Sequence, residues 1–101
     1  MIPASECTSL QMVRDEIDRI DRVLVAAIAE RGTYVLQAAK FKANASGVRS
    51  PDRVAQVIEK ISRLAHDLGA DPIVVEATWR AMINAFIERE LVEHAALGSR
   101  N

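Results

Sequence analysis

Apolar residues recur along the first third of the chain at Val13, Ile17, Ile20, Leu24 and Ile28, then at Val35 and Ala38. Steps of three and four residues place them on one stripe of an α-helix. Thr8 followed by Gln11 is a capping box, in which hydroxyl and amide satisfy each other's backbone donors, so it predicts the helix start. Gly32 and Thr33 are weak helix formers, but a glycine inside a helix costs only about 1 kcal/mol. The stripe continues in phase beyond them, which predicts one helix over about residues 9–43 rather than two.

The segment Asn44-Ala-Ser-Gly47 is small and polar and reads as a linker. Ser50-Pro51-Asp52 then offers an N-cap, a proline at the first helical position and an acid in the first turn. A second helix over 51–68 carries Val54, Val57, Ile58, Ile61, Leu64, Ala65 and Leu68, with Gly69 closing it. Asp71-Pro72 repeats the start signal for a third, over about 72–95. Its stripe is Val75, Trp79, Met82, Ile83 and Phe86, fading past Leu91 into a polar tail from Gly98 to Asn101. The expected fold is all-α, one domain over 1–101 with one long and two shorter helices.

The first helix would be about 50 Å long, whereas a compact domain of 100 residues has a radius of gyration near 13 Å. Two shorter helices cannot cover it within one chain. A homodimer, with the long helices side by side and each chain's shorter helices covering its partner, is the economical solution.

Composition narrows the function classes. Thirteen Lys and Arg against fourteen Asp and Glu leave a net charge of −1, and only four residues are aromatic. There is no field to recruit nucleic acid and no stacking surface for an RNA-binding bundle. The single cysteine, Cys7, excludes a disulfide framework and a Cys-based zinc site. No apolar run is long enough to span a membrane, and residues 1–10 lack a secretory pattern, so a cytoplasmic protein is expected. His66 and His94 have no second ligand four residues on, which argues against a metal site. The acids and arginines between Asp15 and Arg22 pair along a solvated helix face.

Charged residues on apolar stripes are the informative ones. Arg31 lies three residues after Ile28 and four before Val35. On a continuous helix Lys42, eleven residues on, returns to the same face, about 20° off in rotation and about 16 Å away in rise. Arg14 precedes Arg31 by seventeen residues, about 100° away in rotation, and so cannot share that face within one chain, although it could reach a site belonging to the other subunit. Glu90 follows Trp79, Ile83 and Phe86 on the third stripe, where loss of hydration favours a neutral acid. Taken singly, each of these is explained by an interfacial ion pair or a side chain reaching for solvent. Together they leave an excess of inward positive charge, which calls for an anionic ligand. A small dicarboxylate fits, because Arg grips a carboxylate at two points and Lys supplies a point charge for an ether or hydroxyl oxygen.

Cys7-Thr8-x-Leu10, Arg14-x-x-Ile17-Asp18-x-Ile20-Asp21, Glu30-Arg31, Lys42, Pro51-x-Arg53-Val54 and Val75-Glu76 together resemble the all-α (type II) chorismate mutase family. Within it they are closest to the branch of isochorismate-pyruvate lyases of salicylate biosynthesis. The resemblance implies an intertwined homodimer of three-helix chains, no cofactor, no metal, and a cyclohexadiene substrate bearing an enolpyruvyl ether and two carboxylates. By position, Arg14 of the partner subunit and Arg31 resemble the arginines that hold the two carboxylates. Lys42 resembles the lysine on the ether oxygen, and Arg53 a further arginine near a carboxylate. Glu90 stands where the family usually has a glutamine on the same oxygen; some mutases use a protonated glutamate there.

Mutases of the family carry acids at the positions held here by Ser50 and Val54, and their absence leans toward the lyase branch. Chorismate mutase activity is nevertheless expected first, since such lyases retain it as a side activity; isochorismate-pyruvate lysis is the alternative. From another class, a non-catalytic helical dimerisation or ligand-sensing module would explain the stripes, but has no use for inward-facing Arg31 and Lys42.

Overall fold

A computed structural model describes residues 1–98, with a short 3-10 turn at Ala4–Glu6 followed by α1 (Leu10–Ala39), α2 (Ala45–Arg49), α3 (Pro51–Leu68) and α4 (Pro72–Gly98). No strand occurs among the described residues. The chain divides into two compact units, Met1–Tyr34 and a second beginning at Val35.

In the first unit α1 runs unbroken through Gly32 and Thr33, as the continuing stripe predicts. Thr33 Oγ1 donates to the Glu30 carbonyl at 2.6 Å, so its hydroxyl is absorbed by the helix itself. The start differs from expectation. Ser9, not Thr8, caps α1: its Oγ accepts from the Met12 N–H at 3.1 Å, while Thr8 turns to the Met12 sulfur and Gln11 to Asp15. Upstream, the Ile2 N–H donates to Glu16. That bond first, and Arg19 second, hold the Glu16 carboxyl below the ordinary glutamate range. Ile2, Pro3 and Cys7 thereby meet Val13, Ile17 and Ile20 around a shallow apolar cleft.

The second unit holds the densest packing. Its core is Ala39, Val48, Ile58, Ala65 and Ile83. α3 and α4 pack on one another, and α2 packs on α4. The turn joining α3 to α4 follows the predicted chemistry. Gly69 takes φ 72°, the left-handed conformation that glycine adopts without a Cβ penalty. Asp71 then caps α4, its Oδ1 accepting from the Ile73 N–H at 2.9 Å.

Four expectations are corrected here. α1 stops at Ala39 rather than near residue 43: Lys40, Phe41 and Lys42 each bond to the carbonyl three residues back, a tightening that ends the helix. The linker at 44–47 contains most of α2, a single helical turn too short to show periodicity in sequence. Ser50 marks the α2–α3 boundary but makes no side-chain cap, because it sits at φ 34° ahead of Pro51. α4 in turn extends to Gly98, past its expected end, and the remaining polar tail lies outside the described residues.

Candidate functional site

Glu90 is the one buried charged residue among the described ones, at 4% exposure. Its place follows from the phase of α4. Ile83, seven residues earlier, is buried on the same stripe, and Trp79 and Phe86 are half-buried. A carboxyl held there needs a partner, since an isolated charge in such surroundings is strongly disfavoured. Lys42 provides one: its Nζ donates to Glu90 Oε2 at 2.7 Å, across 48 positions of sequence. The lysine is the more exposed of the two, with its side chain at 27% against 5% for the glutamate. The pair therefore has a dry carboxylate end and an ammonium that approaches solvent.

Lys42 reaches this position by a route the helical phase does not describe. It stands beyond the end of α1, in the irregular stretch before α2, so its expected alignment with Arg31 on one continuous helix does not hold. The pairing of Lys42 with Glu90 comes instead from the turn that carries α2 onto α4.

The other nominated residues are placed as follows. Arg14 is exposed on the first half of α1, and Arg31 is half-buried further along it. Both belong to the first unit, whereas Lys42, Arg53 and Glu90 belong to the second. Arg53 is exposed in the first turn of α3. His66 is exposed beside Asp67, and the His94 side chain lies outside the described residues. Sequence reasoning overlooked Asn44, whose Oδ1 accepts from the Gly47 N–H at 3.0 Å and starts α2. The signal was an Asn ahead of a small-residue turn, which also describes a linker.

A buried carboxylate tied to a lysine on a neighbouring turn offers two polar groups to one ligand atom. The ammonium donates always, the carboxyl only when protonated. Comparison with known proteins sets this pair in context. The family described as chorismate mutase type II matches residues 13–91. The chain belongs to that family. All five nominated residues, Arg14, Arg31, Lys42, Arg53 and Glu90, fall inside the matched region. The chain is also 35% identical over 86 residues to an isochorismate pyruvate lyase of Pseudomonas aeruginosa, an alignment covering 85% of each chain. Membership confirms the resemblance carried by the sequence motifs, and with it the all-helical class. Among the described residues no helix is long and apolar enough to cross a membrane.

Proposed function

We propose that the chain is a pericyclic enzyme that converts chorismate to prephenate, and that it accepts isochorismate in the same site. The observation that carries this is the Lys42–Glu90 pair, a built polar site on an otherwise apolar helix face, in a chain of the chorismate mutase type II family. Such a rearrangement needs no acid, base or nucleophile from the protein. One C–O bond breaks as one C–C bond forms, and catalysis consists of folding the enolpyruvyl arm over the ring and stabilising the charge that develops on the ether oxygen. Lys42 donates to that oxygen, and Glu90 donates as well when protonated. Arg31 and Arg14 of the partner subunit hold the two carboxylates, with Arg53 near one of them.

The second reading is favoured by the relative in Pseudomonas aeruginosa and by Ser50 and Val54 at positions where mutases carry acids. With isochorismate the folded arm receives a ring hydrogen and leaves as pyruvate, giving salicylate. Incubation with each substrate separately, with products resolved by chromatography, tests both readings. Prephenate from chorismate is the expected result. Salicylate and pyruvate from isochorismate at the higher kcat/KM would reverse the order, and no turnover of either would leave a non-catalytic helical module.

The cross-subunit role of Arg14 requires a homodimer. Val13, Ile17, Ile20, Leu24 and Ile28 support one, since this whole stripe of α1 is exposed in the single chain. Contiguous apolar surface of that extent marks an interface. Sedimentation at low micromolar concentration should give twice the 11.1 kDa chain mass. A monomer that turns substrate over would remove Arg14 from the site.

A further inference from the structure

Lys42 has no regular helix to hold it, yet its ammonium is aimed at a single carboxylate oxygen. The turn that follows explains how. Asn44 takes an extended backbone conformation, its side chain accepts from the Gly47 N–H at 3.0 Å, and its carbonyl accepts from the Val48 N–H at 3.1 Å. The turn so closed lays Gly47 against the stem of Lys42: a Cβ at Gly47 would sit 3.5 Å from Lys42 Cβ and 4.0 Å from its Cγ. Val48, at 2% exposure, fastens the same turn into the core, and α2 packs on α4, the helix that carries Glu90. Lys42 is thus flanked at its stem by α2 and met at its tip by a residue of the helix on which α2 rests.

We infer that Asn44 is a positioning residue for Lys42: its cap closes the α2 turn that sets the lysine on the Glu90 carboxylate. The consequence for catalysis rests on the function proposed above; the consequence for the ion pair does not. A lysine side chain has four rotatable bonds, so loosening the turn at its stem lowers the share of time its ammonium spends on Glu90, and a donor used at the ether oxygen in the transition state then acts less often. The loss falls on kcat rather than KM.

The test compares Asn44→Ala with Asn44→Ser, because serine caps a helix about as well as asparagine and alanine does not. Asn44 is exposed, so neither variant opens the core. Asn44→Ala should lower kcat by about tenfold, the rate equivalent of a typical cap energy, with KM within about twofold, and Asn44→Ser should restore most of the loss. The independent readout is the carboxyl 13C resonance of Glu90 in the intact protein. Lys42→Met should shift it in the parent and in the Asn44→Ser background, but not in the Asn44→Ala background, where the contact is already lost. A shift that persists in Asn44→Ala overturns the inference whatever the kinetics, as does an equal kcat loss in the alanine and serine variants. If neither substrate is turned over but the shift disappears in Asn44→Ala alone, the positioning role stands and the proposed function falls.

Discussion

Lys42→Ala should lower turnover by about 10²- to 10³-fold, the usual loss when one preorganised charged donor to a developing oxyanion is removed. Lys40→Ala, two residues away, should change it little. The contrast is sharp because the two lysines differ in surroundings and not in type. Lys40 is exposed in the turn that ends α1, while Lys42 is half-buried and 2.7 Å from Glu90. Removing Lys42 also leaves a carboxylate at 4% exposure without this partner, so a fall in stability accompanies the fall in rate. Lys42→Met, which keeps the apolar stem against Gly47, separates the two effects: it should be as slow as the alanine variant and better packed. Steady-state kinetics with a thermal melt of each variant provide the measurement. Small and equal losses at Lys40 and Lys42 would make both lysines solvating groups and remove the main support for an ether-oxygen donor.

What the sequence disclosed, and what it withheld, follows from the range of the interactions involved. The starts of α3 and α4 and the close of α3 were legible because Pro51, Asp71-Pro72 and Gly69 act within a few residues of themselves. The burial of Glu90 was legible too, since the phase of a long helix fixes which side a residue faces. The end of α1 was not: the residues from Lys40 to Ala43 are compatible with helix, and what ends it is the tightening of Lys40, Phe41 and Lys42 onto carbonyls three residues back, ahead of a five-residue turn with no periodicity to betray it. That turn takes Lys42 off α1, so the expectation of one continuous helix carrying Arg31 and Lys42 on a common face did not hold. Nor did Thr8 win the cap of α1 from Ser9, because two adjacent hydroxyls offer the same chemistry and only backbone geometry chooses between them. Finally, the stripe from Val13 to Ile28 announced a face that needs covering, for which a homodimer is the expected cover, and it is exposed in the single chain.

Glu90→Gln should keep the enzyme active and remove much of its loss of activity at alkaline pH. The argument begins from the pair itself. Lys42 Nζ donates to Glu90 Oε2 at 2.7 Å, and a carboxylate in that place accepts and cannot donate. The substrate proposed above would set an ether oxygen against that carboxyl, where only the protonated acid can donate. Activity therefore falls as the pH rises and that proton becomes scarcer. Glutamine has nearly the same shape and donates from its amide at every pH. The variant should thus hold its kcat/KM into the alkaline range where the parent declines, with its largest advantage at the highest pH at which both remain folded. The pH profile of kcat/KM for the two proteins on the same substrate measures this. If the glutamine variant follows the parent's profile, the alkaline limb belongs to another group. If it is inactive throughout, Glu90 acts as a charge that orients Lys42, and the donor role assigned to it is wrong.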